Sequence, residues 1–212
     1  MQNCLKNIKV EVVIPARNEV HTIFEIVRKC LEYVDSAIVV DDSSSDDTAE
    51  EAVRAGAYVI QHETKQGYLK SLKSGVDVCS GDIVVFLDAD GEHDPRDIQS
   101  LINPIASNFA DFVFGTPGKP VRLSEGIICL VASLRLPIVN TGFGFRALRT
   151  DLAKQIPFRG RCGCGLMALD AQKLGARLIE VQVSWLPVSK KRRIGWFHLI
   201  QFGWILRGLA GL

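Results

Sequence analysis

Closely spaced carboxylates are the first candidates for chemistry in this sequence. Asp88 and Asp90 follow the apolar run at residues 83–87, and Glu92 stands two residues further along. Because side chains alternate along an extended chain, Asp88 and Asp90 can point the same way beyond the end of a strand. An all-oxygen cluster suits Mg²⁺ or Mn²⁺ rather than zinc. The spacing therefore predicts a divalent-cation site that could neutralise a diphosphate.

Two more polar clusters follow apolar runs earlier in the chain, at residues 15–19 and 41–47. Strand patterns alternate with helix patterns throughout the first half of the chain. This alternation predicts an α/β fold with a mostly parallel sheet between helices. In such sheets ligands bind beyond the carboxyl ends of the strands. We therefore expect the three clusters to meet at one edge of the sheet.

The predicted elements follow from apolar periodicity and from glycine and proline breaks. The predicted strands are residues 10–14, 37–40, 57–60, 83–87, 112–114 and 178–183. The predicted helices are residues 19–31, 48–55, 69–78, 95–106, 125–134 and 166–174.

Composition limits the class of protein. The chain has 212 residues, 47% of them hydrophobic, and a formal net charge of +1. These values fit one folded domain and argue against a uniformly basic nucleic-acid binder. The six cysteines are scattered, and no second Cys/His pair completes a zinc site. No signal-peptide pattern opens the sequence, so we expect a cytoplasmic location.

Three strings in chain order resemble the family-2, GT-A-fold inverting glycosyltransferases: residues 12–19, 39–48 and 86–90. Within that family the sequence looks most like the dolichyl- or polyprenyl-phosphate mannosyl- and glucosyltransferases. Residues 144–149 resemble the later Gly-Phe-x-Ala-x-Arg signature. The resemblance implies a Rossmann-like GT-A domain at residues 1–188.

The resemblance also implies roles for individual side chains. Asp88 and Asp90 would be catalytic and would hold Mg²⁺ or Mn²⁺ together with Glu92. The nucleotide-sugar donor would be bound by residues from all three strings and by two residues between the second and third strings. The full set is Pro15, Arg17, Glu19, Asp42, Lys65, Gly67 and Asp88.

The sequence departs from the family at three places. Asn140 stands where relatives often carry Asp, and Thr116-Pro117 replaces a common Ser-Arg. Relatives also tend to place an acid near residues 166–168, where this chain has none. Asp170 is the nearest acid and the candidate general base.

The absence of an acid near residues 166–168 has a consequence for the kind of acceptor that we expect. A sugar hydroxyl gains about 10²–10⁴-fold from a positioned base. A phosphate monoester, with a second pKa near ~6, is already anionic at pH 7. It needs positive charge to position it, which a basic run supplies: Lys190, Lys191, Arg192 and Arg193. We therefore expect a polyprenyl (dolichyl) phosphate acceptor.

The C-terminal segment, residues 189–212, has five basic residues and no acidic one. Trp196, Phe197 and Trp204 are typical interfacial anchors, and basic residues suit an anionic leaflet. We expect a C-terminal apolar helix at the cytosolic membrane surface. The alternative is a helix packed on the core, on a second copy of the chain or on a membrane-protein partner.

The leading hypothesis is an inverting, metal-dependent hexosyltransferase that uses GDP-mannose or UDP-glucose and a polyprenyl phosphate. One alternative is a transferase of the same fold with a saccharide hydroxyl acceptor and Asp170 as base. Another is a catalytically silent nucleotide-sugar-binding subunit. A haloacid-dehalogenase phosphatase is excluded because no acidic pair follows residue 97. An NAD enzyme is excluded because Gly142 and Gly144 lack a third glycine and do not follow the first strand.

Overall fold

The computed structural model describes residues 8–117, 136, 138, 142–160 and 165–186. Within these residues a seven-stranded sheet has the order β3-β2-β1-β4-β6-β5-β7. The strands are β1 Val10–Ala16, β2 Ser36–Asp41, β3 Tyr58–Gln61, β4 Ile83–Phe86, β5 Phe112–Thr116, β6 Arg146–Arg149 and β7 Leu178–Gln182. The helices are α1 Ile23–Cys30, α2 Thr48–Arg54, α3 Tyr68–Val78, α4 Ile98–Ala106, α5 Thr150–Gln155 and α6 Leu166–Lys173. A 3₁₀ turn, Pro95–Asp97, precedes α4.

Helices cover both faces of the sheet because the central strands are apolar on both sides. Val12 and Val39 pack in one core layer with α1, α2 and α4. Val13 and Val40 pack in the other layer with α3, α5 and α6. The predicted α/β class with a mostly parallel sheet is confirmed.

The strand order creates a crevice at the middle of the sheet. From β1 the chain adds β2 and β3 on one side, then returns to add β4 on the other side, and all these pairs are parallel. A reversal of this kind leaves an opening at the carboxyl ends of the two strands that flank it. Asp88 follows β4 at that point.

The second half differs from the sequence-based expectation. β6 runs antiparallel between β4 and β5, with Ala147 opposite both Val85 and Val113. Neither β6 nor α5 was predicted. The first helix was predicted from residue 19 but begins at Ile23, because the amides of Thr22 and Ile23 both bond to the Glu19 carbonyl in a turn.

Two predicted helices, residues 125–134 and the C-terminal segment, lie outside the described residues. Among the residues that are described, no helix combines the length and apolarity needed to cross a bilayer.

Candidate active site

Hydrogen bonds join the three loops that leave the carboxyl ends of β1, β2 and β4. The amide of Asn18 donates to Ser44 Oγ at 2.9 Å, and the amide of Ser45 donates to Asn18 Oδ1 at 2.9 Å. Thr22 Oγ1 donates to the Ala89 carbonyl at 2.7 Å. The loop after β1 therefore contacts both of the others, and the predicted convergence is confirmed.

Asp41 shapes the loop after β2 rather than facing the crevice. Its buried carboxylate accepts hydrogen bonds from the amide and the hydroxyl of Ser44. Between them Ser43 takes a left-handed conformation, with φ +61°. Of the two neighbouring acids Asp41 and Asp42, Asp41 therefore has a structural role.

Asp42, the second member, anchors the next loop. Its oxygens accept from the amides of Gln66 at 2.6 Å and Gly67 at 2.8 Å, and from His62 Nδ1 at 3.0 Å. His62 Nε2 in turn lies 3.0 Å from Ser74 Oγ on α3. Burial alone would raise the pKa of Asp42, but these hydrogen bonds outweigh it and hold the pKa below its ordinary value. Asp42 therefore remains ionised and ties β2 to the start of α3.

A cavity of about 560 Å³ opens beside this anchored loop. It is lined by residues 65–70 together with Phe158 and Gly160. Lys65 and Lys70 are exposed there, close to the start of α3 at Tyr68. The two lysines favour an anionic ligand.

Asp88 has the least satisfied carboxylate of the site. Its side chain is 24% exposed, yet Oδ1 is buried and has no hydrogen-bond partner among the described residues. Gly144 lies directly against it, since a Cβ at that glycine would be 2.4 Å from Oδ2. A buried carboxylate oxygen without a donor is costly unless a ligand or cation completes it.

The other two predicted metal ligands lie in the turn that follows. Asp90 is partly exposed, and its Oδ1 accepts from the amide of Glu92 at 3.1 Å. Glu92 is buried, and its carbonyl accepts from the amide of Leu186. In the described part of the chain, no three His, Cys, Asp or Glu side chains are already grouped to hold an ion. Ligation by Asp88, Asp90 and Glu92 stays a prediction.

His93 connects this turn to β6. Its Nδ1 accepts from the amide of Asp88 at 3.1 Å, and its Nε2 lies 4.0 Å from Asp88 Oδ2. The ring is buried between Phe143 and Phe145, at centroid distances of 4.7 and 5.1 Å. The segment around Gly144 therefore packs against the residues that follow β4.

The sequence profile described as glycosyl transferase family 2 matches residues 11–122, which include the loops that follow β1, β2 and β4. The chain belongs to this family. An uncharacterised glycosyltransferase of Mycobacterium tuberculosis is 37% identical over 189 residues, which cover 84% of this chain and 85% of the relative. An undecaprenyl-phosphate mannosyltransferase of Micrococcus luteus is 27% identical over 206 residues, covering 84% of each chain.

Solved structures agree with the fold. Glucosyl-3-phosphoglycerate synthase from Mycobacterium tuberculosis, in complex with Mn²⁺ and UDP-glucose, superposes with a TM-score of 0.82 at 25% identity. The match covers 99% of this chain and 81% of the synthase. The glycosyltransferase thus has the GT-A fold that the sequence predicted.

The remaining predicted donor residues lie along the same edge. Pro15 is in β1 opposite Val40, and Arg17 is exposed in the loop that follows. The amide of Glu19 donates to Thr48 Oγ1 at 2.9 Å, which fixes the loop to the start of α2. Their contacts with a donor stay predictions.

The candidate base Asp170 lies in α6 and is 6% exposed. Arg159 contacts both of its oxygens, with Nη2 2.5 Å from Oδ1 and Nε 3.2 Å from Oδ2. A carboxylate engaged by a guanidinium at both oxygens is poorly placed to take a proton from an acceptor. Asn140 and the basic run at residues 190–193 lie outside the described residues.

Sequence reasoning missed His62, His93 and the contact made by Gly144. A single histidine has no spacing pattern, and its partners here come from other elements. The one available signal was position, because His62 directly follows β3 and His93 follows the Asp-x-Asp pair.

Proposed function

We propose that this family-2 glycosyltransferase transfers a hexose from a nucleoside-diphosphate sugar to a polyprenyl phosphate, with inversion and with Mg²⁺ or Mn²⁺. GDP-mannose and UDP-glucose are the proposed donors. The reaction would take place at the cytosolic membrane face, where the basic segment at 189–212 would meet the lipid.

The buried, unpartnered Oδ1 of Asp88 is the observation that carries this proposal. Its oxygen chemistry fits a divalent cation, and Mg²⁺ is usually bound by one or two carboxylates plus substrate phosphates. Asp88 and Asp90 would hold the ion, with Glu92 as a further ligand. When bound, the cation offsets the charge that develops on the departing nucleoside diphosphate.

The chain's own residues would bind the rest of the donor. Asp42 holds residues 65–67 in place, so that Lys65 and the start of α3 face the cavity of about 560 Å³. Positive charge fixed in position needs no reorganisation when the leaving group becomes more negative. Arg17 and Glu19 would contact the nucleoside on the other side of the crevice.

The contacts of Asp170 support the choice of acceptor. Because Arg159 occupies both oxygens of that carboxylate, a mechanism that needs Asp170 as general base is disfavoured. An acceptor phosphate needs no such base. The mannosyltransferase of Micrococcus luteus, named for undecaprenyl phosphate, supports the same choice.

A soluble phosphorylated acceptor is the second candidate. The synthase that superposes at a TM-score of 0.82 is named for glucosyl-3-phosphoglycerate. A phosphoglycerate is likewise anionic, but its accepting atom would be a hydroxyl oxygen, which gains from a positioned base.

Product mass spectrometry separates the candidates. The purified chain with Mn²⁺ would be offered GDP-mannose or UDP-glucose together with undecaprenyl phosphate, phosphoglycerate, a free saccharide or water. We expect a lipid-phosphate hexose as the main product. Turnover confined to phosphoglycerate would select the second candidate, and turnover with a saccharide alone would revive Asp170 as base.

A matched pair of variants guards the assay. Asp90→Asn should abolish product, whereas Asp77→Asn, in an exposed pair with Lys73, should not. Donor binding in calorimetry without turnover on any acceptor would instead identify a silent nucleotide-sugar-binding subunit.

A further inference from the structure

The signature segment around Gly144 and the turn after β4 make three contacts. His93 bonds to the main chain of Asp88, its ring lies between Phe143 and Phe145, and Gly144 leaves room for the Asp88 carboxylate. His93 and Gly144 contact the metal-binding candidate Asp88 directly, and the two rings contact it through His93. These contacts come from residues that carry no assigned role in donor or acceptor binding.

We propose that His93 is a positioning residue that holds Asp88 in place for the divalent cation, with its ring fixed by Phe143 and Phe145. The inference rests on the proposed function, because it assigns the support of that same metal site. His93 itself does not touch the reacting atoms.

The hydrogen-bond direction supports this role. The Asp88 amide is a donor, so His93 Nδ1 must be the acceptor at 3.1 Å, and a neutral ring then carries its proton on Nε2. That nitrogen lies on the Oδ2 side of Asp88, at 4.0 Å. One ring therefore sets the main chain and borders the carboxylate of the same residue.

The aromatic contacts explain why the ring cannot turn away. Phe145 is stacked on His93 with an interplanar angle of 13°, and Phe143 meets it edge-on at 64°. His93 and Phe145 are both nearly fully buried. A ring packed on two sides keeps its Nδ1 directed at the Asp88 amide.

A residue that orients a metal ligand typically changes metal affinity or activity by about 10–100-fold when it is removed. The two functions of His93 can be separated by substitution. His93→Asn keeps an acceptor at the δ position but removes the ring, whereas His93→Phe keeps a ring but removes the acceptor. The proposal predicts that the acceptor matters more.

The test measures Mn²⁺ binding by electron paramagnetic resonance, with UDP or GDP present and without any acceptor. We expect His93→Phe to weaken Mn²⁺ binding about tenfold or more, and His93→Asn to restore it to within a few-fold of the wild type. In turnover assays the Mn²⁺ concentration for half-maximal rate should rise, with little change in the KM for the acceptor.

Two further variants separate positioning from general packing. Phe145→Leu should weaken Mn²⁺ binding, whereas Phe112→Leu should not, because the equally buried Phe112 stacks on Phe114 instead. Circular dichroism and melting temperature establish that each variant is folded. Equal effects of the two leucine variants would overturn the inference.

The outcomes also distinguish this inference from the function it rests on. If the folded wild-type chain takes up no Mn²⁺ with either UDP or GDP, both are overturned. If the wild type binds Mn²⁺ and His93→Phe binds it equally well, only the role of His93 is overturned. Gly144→Ala serves as the positive control, since its Cβ would displace the Asp88 carboxylate directly.

Discussion

Each edge of the sheet holds a carboxylate with at least one buried oxygen, but the two are surrounded differently. At the amino edge, Glu11 of β1 accepts from the amides of Ser80 and Gly81 at 2.7 and 2.8 Å, from Ser36 Oγ at 3.1 Å, and pairs with Lys9 at 3.0 Å. At the carboxyl edge, one oxygen of Asp88 has no partner within the described residues.

This difference separates structural carboxylates from functional ones. A carboxylate whose hydrogen bonds are complete stabilises the fold and leaves nothing for a ligand. A carboxylate held in place by its main chain but left incomplete costs stability and is available for binding. Substitutions at the two edges should therefore affect different measurements.

The largest expected effect is on catalysis at the carboxyl edge. Asp88→Asn should lower turnover by about 10²–10³-fold, since it removes a charge that would act on the developing negative charge of the leaving group. Its melting temperature should stay the same or rise slightly, because an incomplete buried charge becomes neutral. Steady-state kinetics and thermal unfolding on the same preparation measure both.

Asp77→Asn is the control for that variant and should change neither quantity appreciably. A folded Asp88→Asn protein with wild-type turnover would remove Asp88 from the reaction. A large loss of stability would show that its carboxylate is structural after all.

A substitution at the amino edge should lower stability and leave turnover nearly unchanged. The amides of Ser80 and Gly81 both donate to Oε2, so in Glu11→Gln the side-chain oxygen keeps them only if the NH₂ group replaces Oε1. The ion pair with Lys9 and the acceptor for Ser36 Oγ are then lost. We expect the free energy of unfolding to fall by about 2–4 kcal/mol. Turnover measured well below the melting temperature should stay near the wild-type value. A variant as stable as the wild type, or one folded but inactive, would contradict the contrast between the edges.

Lowering the pH should remove the stabilisation by the Glu11 carboxylate from the wild-type protein. Burial alone would raise the pKa of Glu11, but hydrogen bonds from Gly81, Lys9, Ser80 and Ser36 lower it from 4.5 to about 2. A carboxyl group whose pKa is lower in the folded state stabilises above its unfolded pKa and loses that effect as the pH falls. The stability gap between wild type and Glu11→Gln should therefore shrink between pH 4.5 and about 2.

Denaturant unfolding of both proteins across that range measures the gap. Because other carboxylates titrate in both proteins alike, the difference isolates Glu11. A gap that stays constant down to pH 2 would show that Glu11 is not the group responsible.

The sequence allowed one edge to be predicted and not the other. The clusters at residues 15–19 and 41–47 and the pair Asp88 and Asp90 follow apolar strands, and the rule for parallel sheets then places them together. Glu11 lies within an apolar strand, and its partners come from the start of β2 and from the loop before β4, about 25 and 70 residues away, which no local pattern reveals.

The same limit explains the second half of the fold. β6 has only four residues, with arginine at both ends, and it forms by pairing with β4 and β5 rather than from its own pattern. α5 has six residues, too few for a helical periodicity to appear. His93 depends on the rings of Phe143 and Phe145, about 50 residues further along the chain.

The smallest expected effect concerns backbone strain near the site. Ser43 has φ +61° and Phe158 has φ +45°, and both border the crevice or its cavity. A left-handed conformation costs about 1–2 kcal/mol for such residues. Glycine avoids that cost but loses about 0.5–1 kcal/mol to its greater freedom in the unfolded chain. Ser43→Gly should therefore raise stability by at most about 1 kcal/mol, or a few degrees in melting temperature.

Ser45→Gly is the matched control, because Ser45 lies two residues away and its φ is not in the left-handed region. That variant should lose stability through the greater entropy of the unfolded state and through loss of the long hydrogen bond from Ser45 Oγ to Asn18 Oδ1 at 3.4 Å. If the strain at Ser43 serves to hold the loop for the donor, Ser43→Gly should gain stability while the KM for the donor rises or stays the same. A lower melting temperature for Ser43→Gly would mean that the conformational freedom of glycine in the unfolded chain outweighs the relief of strain, and the left-handed backbone at Ser43 would then store no usable energy.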